Sequence, residues 1–466
     1  MHQKSGEAVA KRSSRRRMLK MGASAIAGGS ALAAQSVPSI SQVKAQRRFR
    51  AWISRGDGPG RTTLHEVTLR PIGGRQVVVR TEATNLCYSN CTAVLGGAPR
   101  PASGQQAPRG PFDGARRMSE MAVIQGHGGI GIVEAVGPEV RRVRVGDRVC
   151  VSGTPQCGSC YQCLRGRADM CQFLIAIGAD DLVAIADMAD GTPVYENSQI
   201  GGLAELMVTF EEWVVPIFTS ASAVDLGMVC SCVSVAGLGC ATSNTLTAIY
   251  PGSTVAVVGC GPLGLSAVQG ARIAGAATII AIEPIRVRRE LALKLGATHG
   301  LDPNVDGSKL VETVRELAKG PTDRFWAGGR SPVGRRPGVG PDLVIEAAGA
   351  DQAKPKLESG PDPTGILAVQ QAYEMCAPGG HIITTSLVRG NLTLNGNLFT
   401  IGGRTHHAGQ AGGTNPMRDI PRYVELLERG QYDAKILATT VVPIERMMEA
   451  YQQVLDRTTV TALMTA

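Results

Sequence analysis

The sequence predicts an α/β protein in which a β-rich domain is joined to a domain with a doubly wound parallel sheet. Two patterns carry this prediction. Residues 50–150 contain short β-rich runs punctuated by Gly and Pro, which is typical of an all-β unit. From residue 253 onward the pattern changes to strand, glycine turn, helix and strand, an alternation that is typical of a parallel sheet flanked by helices. The length of 466 residues allows two or three domains, each with its own core.

Individual elements follow from local patterns along the chain. The β-rich runs are residues 76–80, 131–136 and 146–150. The later strands are predicted at residues 254–258, 278–282, 342–346 and 381–385. A helix is predicted after the glycine turn, ending near residue 274, and helical apolar spacing recurs at residues 418–427 and 444–455.

These elements divide the chain into three parts after an N-terminal segment of residues 1–45. The parts are a β-rich domain over 46–234, a parallel-sheet domain over 235–405 and a segment over 406–466 that packs back against the β-rich domain. Three stretches rich in Gly, Pro and Arg are predicted to be surface loop insertions: residues 97–119, 320–341 and 351–365.

The positive charge of the chain is concentrated at its front. Residues 1–45 hold eight basic residues and one acidic residue, while the whole chain has a net charge of +9. The remainder is therefore nearly neutral, which argues against nucleic-acid binding.

The basic N-terminal segment continues into an apolar run of small residues over 21–34. This run is too short for an ordinary transmembrane helix and is typical of an export signal. The preceding Ser14-Arg15-Arg16-Arg17-Met18-Leu19-Lys20 resembles the twin-arginine motif, which directs folded proteins across a bacterial inner membrane. We expect cleavage after Ala33 or Ala45, and a periplasmic or secreted protein without stable membrane insertion. The alternative is a disordered basic tail followed by a chance apolar run.

Four closely spaced cysteines form the strongest local signal. Cys157, Cys160, Cys163 and Cys171 follow the spacing C-x2-C-x2-C-x7-C, which lets a short loop wrap a tetrahedral ion. We predict a structural zinc site. The alternative is a pair of disulfides, although a protein that folds before leaving a reducing compartment can load metal first.

A glycine turn marks the start of the parallel-sheet domain. Gly259, Gly261 and Gly264 form a GxGxxG pattern between a predicted strand and a predicted helix, where a dinucleotide diphosphate approaches the helix N-terminus. Glu283 ends the next strand, where a carboxylate accepts hydrogen bonds from ribose hydroxyls and disfavours a 2′-phosphate. The pattern therefore predicts NAD, with Arg288 also beside the cofactor.

Two further motifs complete a recognisable order. Cys87-Tyr88-Ser89-Asn90 and Gly126-His127-Gly128-Gly129 precede the four-cysteine lobe and the glycine turn. In this order the motifs resemble those of the zinc-dependent medium-chain alcohol dehydrogenases, over residues 50–466. The resemblance implies a GroES-like catalytic domain, a Rossmann domain that binds NAD, and a catalytic zinc in the cleft between them. It also implies a homodimer or homotetramer.

The resemblance assigns roles to individual residues. Cys87 and His127 would be zinc ligands, and Ser89 the hydroxyl that relays the proton. Asn90 and Gly128 stand where the family carries carboxylates that tune the zinc ligands. The third ligand position falls on Ser234, a poor ligand, so we favour Cys232. Cys230, Cys240 and the absence of a third ligand are the alternatives that stay open.

The favoured function is a zinc-dependent oxidoreductase that transfers hydride between an alcohol and NAD, giving an aldehyde or ketone. Because free NAD is expected to be scarce outside the cytosol, we expect NAD to be loaded before export and to stay bound, with electrons passing to an external acceptor. One alternative is a zinc-free reductase of quinones or enones. Another is a non-catalytic nucleotide- or metal-binding protein on a decayed scaffold.

Overall fold

The computed structural model describes residues 47–56, 60–96, 121–175, 183–243, 249–318, 340–349, 366–388, 391–396, 400 and 402–466. The expected export signal and nearly all of the three predicted insertions lie outside the described residues.

Eighteen strands are described. They are β1 (Arg48–Ser54), β2 (Thr62–Leu69), β3 (Gln76–Leu86), β4 (Ala122–Ile124), β5 (Gly129–Val136), β6 (Arg148–Val151), β7 (Ala186–Asp187), β8 (Pro193–Glu196), β9 (Leu206–Phe210), β10 (Val214–Pro216), β11 (Thr254–Val258), β12 (Thr278–Ile282), β13 (His299–Leu301), β14 (Leu343–Glu346), β15 (His381–Thr384), β16 (Thr405–Ala408), β17 (Ala438–Pro443) and β18 (Thr461–Thr465).

The α-helices in the described ranges are numbered in chain order. They are α1 (Cys91–Leu95), α2 (Tyr161–Leu164), α3 (Gln172–Ile175), α4 (Ala223–Val229), α5 (Cys232–Thr242), α6 (Pro262–Ile273), α7 (Arg286–Leu295), α8 (Pro303–Asp306), α9 (Leu310–Leu317), α10 (Ile366–Met375), α11 (Pro416–Glu428) and α12 (Met447–Leu455).

The β-rich domain combines a closed barrel with an open sheet. The barrel has the strand order β1-β2-β7-β8-β4, and the sheet has the order β10-β6-β5-β3-β18-β17 with β9 also paired to β3. Strand β18 runs antiparallel to β3 and so joins the end of the chain to the β-rich domain. The apolar face of α12 packs into the same core, through Met447, Tyr451 and Val454.

The second domain is a six-stranded sheet of order β13-β12-β11-β14-β15-β16 in which every pairing is parallel. All five residues of β11 are buried, as expected for a strand covered by helices on both faces. Val255 and Val257 face one core cluster, whereas Ala256 and Val258 face another. The fold therefore confirms the predicted α/β class.

Helices α5 and α6 approach closely at small residues. A Cβ atom on Gly237 would lie 2.2 Å from the carbonyl oxygen of Leu263, so only glycine permits this spacing. A Cβ on Gly270 would lie 2.9 Å from that of Ala241. This contact fixes α5 against α6 of the parallel-sheet domain and so positions the first residue of α5, Cys232.

Several element boundaries differ from the sequence expectation. The strand expected from residue 146 begins at Arg148, because Gly146 adopts a φ of 94° in a turn closed by the Asp147 carboxylate. The 234/235 boundary falls inside α5, and the 405/406 boundary falls inside β16, which pairs with the parallel sheet. The chain thus leaves the parallel sheet only after Ala408.

Among the described helices, no single one is long and apolar enough to cross a membrane. Helices α4 and α5 together pass the same test of length and composition, but they are bent by 52° at the break between them.

Candidate active site

Cys87, His127 and Cys232 converge on one point. Their donor atoms all lie within 4.8 Å of one another. The imidazole Nε2 of His127 is 3.1 Å from the Sγ of Cys232, and the side chain of Cys87 is buried beside them. Two thiolates and an imidazole nitrogen are ligands that zinc prefers, and three protein ligands are the number found in catalytic zinc sites. The residues therefore fit a catalytic zinc.

Different elements bring the three ligands together. Cys87 follows the long central strand β3 in an extended conformation and begins a short turn of 3-10 helix, Tyr88–Asn90. His127 lies in the connection between β4 and β5. Cys232 is the first residue of α5, whose N-cap Ser231 accepts a hydrogen bond from the backbone N–H of Ser234. A helix N-terminus favours a thiolate, whereas the contact with Cys87 and burial raise the pKa of Cys232 well above its usual value.

The electrostatics of the cluster favour a thiolate at Cys87. The contact with the thiol of Cys232 lowers the pKa of Cys87 well below its usual value, against the effect of burial, and His127 lowers it further. Burial alone would lower the pKa of His127, but the contact with Cys87 outweighs it and raises that pKa.

Ser89 lies on the solvent-exposed side of this cluster. Its side chain is exposed, and its hydroxyl donates a hydrogen bond to the Sγ of Cys87 over 3.2 Å. A hydroxyl that is both adjacent to a ligand and open to solvent can carry a proton away from the reacting oxygen.

Asn90 and Gly128 stand where the family carries carboxylates, and their surroundings differ. Asn90 is buried, and within the described residues its Oδ1 has no hydrogen-bond partner. Gly128 offers its carbonyl oxygen to the hydroxyl of Thr84. A Cβ at Gly128 would lie 3.3 Å from the carbonyl oxygen of Val151, so β6 leaves little room for a longer side chain there.

The other candidates for the third ligand point elsewhere. Ser234 is buried and accepts a hydrogen bond from Tyr432 over 2.7 Å. Cys230 lies against Cys150, whose pKa this contact raises together with burial. Burial raises the pKa of Cys240 to about 12, and its neighbour is Thr385. Four residues were candidates for the third ligand: Cys230, Cys232, Ser234 and Cys240. Of these, only Cys232 lies beside Cys87 and His127.

The four-cysteine lobe forms a second cluster. The sulfur atoms of Cys157, Cys160, Cys163 and Cys171 all lie within 4.8 Å of one another. The separations Cys157–Cys163 and Cys160–Cys171 are both 4.0 Å, close to the roughly 3.8 Å between thiolates on a tetrahedral zinc and far from the roughly 2.05 Å of a disulfide.

Backbone groups favour a thiolate at Cys160, whereas burial raises the pKa of Cys163 to about 12 and also raises that of Cys171. The N–H groups of Cys163 and Gln172 donate to the Sγ of Cys160 over 3.5 and 3.4 Å. Burial opposes ionisation, but these donors outweigh it and lower the pKa of Cys160 to about 6. The lobe therefore fits a structural zinc.

The glycine turn has the close packing that a dinucleotide site requires. Gly259 has a φ of 87°, and a Cβ there would lie 2.7 Å from the backbone of Ala348. A Cβ on Gly264 would lie 1.8 Å from the carbonyl oxygen of Gly259. Gly261 caps α6, and a Cβ there would meet only the Nη1 of Arg288, at 3.8 Å. The open side of Gly261 is where a diphosphate can approach the helix N-terminus.

Glu283 supports the turn from the end of β12. Its buried carboxylate accepts hydrogen bonds from the backbone N–H of Cys260 over 2.6 Å and from that of Ile285 over 2.9 Å. Each oxygen keeps a further lone pair, so the carboxylate can also accept from a ribose hydroxyl. Arg286, by contrast, is exposed and pairs with Glu290 over 2.7 Å.

One residue beside Tyr88 has no signal in the sequence motifs. Arg457 follows α12 and is buried, with its guanidinium carbon 5.4 Å from the centre of the Tyr88 ring. No local sequence pattern predicts its left-handed backbone conformation.

Comparison with known proteins identifies the family of the chain. Residues 73–219 match the family model of the alcohol dehydrogenase GroES-like domain, and residues 262–359 match that of the zinc-binding dehydrogenases. The chain is 30% identical over 310 residues to an S-(hydroxymethyl)glutathione dehydrogenase of Saccharomyces cerevisiae, covering 62% of this chain and 73% of the relative.

Two further comparisons cover more of the chain. An NDMA-dependent alcohol dehydrogenase of Amycolatopsis methanolica is 27% identical over 389 residues, which are 82% of this chain and 89% of the relative. A crystal structure of an alcohol dehydrogenase zinc-binding domain protein from Burkholderia ambifaria superposes with a TM-score of 0.71 at 24% identity, over 90% of this chain and 99% of the other. The sequence therefore belongs to the zinc-dependent medium-chain alcohol dehydrogenase family.

Proposed function

We propose that this protein is an exported alcohol dehydrogenase that keeps its NAD bound, oxidises a small alcohol to an aldehyde or ketone, and passes the electrons to an external acceptor. The observation that carries the enzymatic part is the convergence of Cys87, His127 and Cys232 on one point. In this proposal the protein works as a homodimer or homotetramer, as the resemblance implies.

The roles of the chain's residues follow from the site. When bound, zinc would supply Lewis-acid stabilisation of the alcohol oxygen, and NAD would accept the hydride. Cys87 and Cys232 would balance the two charges of the metal as thiolates, and His127 would add a neutral ligand. Ser89 takes the proton from the alcohol at the cleft. Glu283 and the glycine turn hold the dinucleotide from the other side.

Retention of NAD is supported by two considerations. The export route suggested by Arg15 and Arg16 carries folded proteins, so a cofactor loaded in the cytosol can travel with the chain. One relative bears a name that states a dependence on NDMA, which supports an acceptor other than free NAD.

The test mixes the dialysed full chain with an alcohol and no added nucleotide. We expect the near-ultraviolet absorbance of reduced nicotinamide to appear in proportion to the bound NAD, and an added acceptor to abolish it. The Cys87→Ala variant should hold the nucleotide without reducing it. If the dialysed protein contains no nucleotide and turns over only with added NAD, retention is wrong while alcohol oxidation stands.

The alternative, a zinc-free reductase, predicts a different pattern of activity. The departures at Asn90 and Gly128 favour it, whereas the complete set of three ligands opposes it. Turnover of a quinone or enone that survives chelation, without any alcohol oxidation, would replace the proposal. The absence of both turnover types across a broad panel would favour the non-catalytic alternative.

Export has a separate test. Replacing both Arg15 and Arg16 by Lys preserves charge but removes the twin-arginine signature. We expect this variant to stay in the cytosol of a host that has the twin-arginine route, while the unaltered chain reaches the periplasm or the medium. Equal distribution of both proteins would reject the proposed route.

A further inference from the structure

Helix α5 carries two candidate ligands on its first turn, and only one of them can face the zinc cluster. Each residue of an α-helix is turned by about 100° from the one before, so Cys232 and Ser234 point in directions about 200° apart. The rotation of α5 about its own axis therefore decides which of the two side chains lies beside His127. In this structure it is Cys232, whereas Ser234 is buried on the other side of the helix.

A set of buried hydroxyl groups holds Ser234 on that other side. The hydroxyl of Tyr432 donates to the Oγ of Ser234 over 2.7 Å, and the Oγ of Ser266 on α6 lies 2.9 Å from the same tyrosine hydroxyl. All three side chains are buried. Burial raises the pKa of Tyr432 to about 12, so its hydroxyl keeps the proton that it donates. A buried hydroxyl that loses its partner is costly, so these contacts oppose a rotation of α5.

The backbone on both sides of Tyr432 is tied to α6. Arg272 donates from its Nη2 to the carbonyl oxygen of Gln431 over 2.6 Å. The fully buried side chain of Gln269 accepts from the backbone N–H of Asp433 over 2.7 Å and donates to its carbonyl oxygen over 3.3 Å. Tyr432 is therefore held at a fixed place on α6, and its hydroxyl reaches α5 from there.

The opposite side of the same turn of α5 fits closely against the zinc cluster. A Cβ on Gly153 would lie 3.4 Å from the Cβ of Cys232 and 3.1 Å from the carbonyl oxygen of His127. Glycine at this position leaves the room that Cys232 occupies. The first turn of α5 is thus enclosed between the zinc cluster on one side and Tyr432 on the other.

We propose that Tyr432 is a positioning residue for the third zinc ligand, because its hydroxyl holds Ser234 and thereby turns Cys232 toward the other two ligands. The inference rests on the zinc-dependent part of the proposed function. In this role Tyr432 acts on the metal site only through the rotation of α5. Its contact with Ser234 selects a ligand two positions before the one that the family resemblance indicates.

Conservative variants test this role. Tyr432→Phe removes the hydroxyl and keeps the ring, and Ser234→Ala removes the other partner of the contact. Tyr423→Phe is the matched control, since Tyr423 is also buried and its hydroxyl contacts Thr242, the last residue of the same helix, over 3.4 Å. If the contact acts as a unit, Tyr432→Phe, Ser234→Ala and the double variant should have equal effects.

The first readout is the transfer of zinc to a chelating indicator, in which Cys232→Ala identifies the phase that belongs to the four-cysteine lobe. We expect Tyr432→Phe and Ser234→Ala to release the catalytic zinc roughly 10- to 100-fold faster than the wild type and Tyr423→Phe. The lobe should release its zinc at the same rate in all of them. If Tyr432 only fills the core, both tyrosine variants would unfold at a lower temperature and release zinc like the wild type, which would overturn the proposal.

The second readout tests the rotation of α5 directly. The double variant Cys232→Ala with Ser234→Cys puts a thiol at the position that the family resemblance indicates. Because Tyr432 holds residue 234 on the side of α6, we expect about one zinc ion per chain, as in Cys232→Ala alone. Recovery of a second zinc ion would show that α5 can turn, and would overturn the proposal.

The third readout needs no catalytic zinc. The sulfur atoms of Cys87 and Cys232 lie within 4.8 Å of each other, so the thiol oxidant diamide should join them once the catalytic site has been emptied by chelation. We expect this disulfide, quantified by peptide mapping, to form roughly 10- to 100-fold more slowly in Tyr432→Phe than in the wild type and Tyr423→Phe.

This third readout separates the two proposals. A wild type that binds only the lobe zinc but shows the difference in cross-linking would reject the zinc-dependent function and keep the positioning role of Tyr432. Equal cross-linking rates in all three proteins would overturn the positioning role, whatever the zinc content.

Discussion

The imidazole Nε2 of His127 lies 3.1 Å from the Sγ of Cys232, although the two residues are 105 positions apart in the chain. This distance places His127 of the β-rich domain against the first residue of α5, the helix that packs on α6 of the parallel-sheet domain. The catalytic cluster is therefore assembled by the packing of the two halves. Gly237 is part of that assembly, because only glycine allows α5 to approach α6 so closely.

Replacing Ser89 by Ala should slow the reaction without emptying the site. The hydroxyl donates to Cys87 but is exposed to the cleft, so its removal takes away a proton carrier and leaves the three ligands. We expect kcat to fall by roughly 100-fold, with zinc and nucleotide contents unchanged. Ser89→Thr should restore most of the rate. An unaltered kcat in Ser89→Ala would exclude the hydroxyl from proton transfer.

Replacing Cys163 by Ala should remove the structural metal alone. The lobe holds only short helices, and α2 is capped by the side chain of Cys160, so its order depends on the ion. We expect zinc to drop by about one per chain and the unfolding temperature to fall, as measured by elemental mass spectrometry and calorimetry. Cys376→Ala is the control, since Cys376 is a buried thiol outside both clusters.

The disulfide alternative makes a different prediction for the same lobe. Alkylation of the denatured, chelated wild type without reductant should label all four lobe cysteines. Protection of those cysteines until reductant is added would show disulfides and would contradict the structural zinc.

Glu196 should make stability depend on pH. The carboxyl group at the end of β8 is 5% exposed; burial raises its pKa from the usual 4.5 to about 8, although the backbone N–H of Val208 donates to it. The folded state thus keeps a proton that the unfolded state releases above pH 4.5. Its stabilising effect is complete below that pH and is lost as the pH rises toward 8, with a slope of at most about 1.4 kcal/mol per pH unit.

The matched variant isolates this effect. Glu196→Gln keeps an acceptor for Val208 and cannot ionise. Its free energy of unfolding, measured by urea titration, should approach that of the wild type near pH 4.5 and exceed it increasingly up to pH 8. Parallel pH profiles for the two proteins would mean that Glu196 is not held protonated.

The sequence predicted the fold and most of the site because both have local signals. Strands β11 and β12 coincide with the predicted residues, and the four-cysteine spacing is a short loop whose sulfur atoms come together. The choice between Cys232 and Ser234 could not be made from spacing alone. It depends on how Ser231 caps α5, which turns Ser234 toward Tyr432 and leaves Cys232 at the cleft.

The position of Arg457 could not be predicted from local sequence patterns. Nothing in the sequence distinguishes it from the other arginines of the chain. Its position depends on a left-handed backbone and on the ring of Tyr88, a contact that exists only after the C-terminal segment pairs with β3 through β18.

The most direct test of the catalytic site is the zinc content of the full chain after exhaustive dialysis, measured by elemental mass spectrometry alongside Cys232→Ala and its control Cys240→Ala. We expect about two zinc ions per chain in the wild type and in Cys240→Ala, and about one in Cys232→Ala, because Cys240 lies on the same helix but outside the cluster. About one zinc ion per chain in all three proteins would contradict the catalytic site at Cys87, His127 and Cys232.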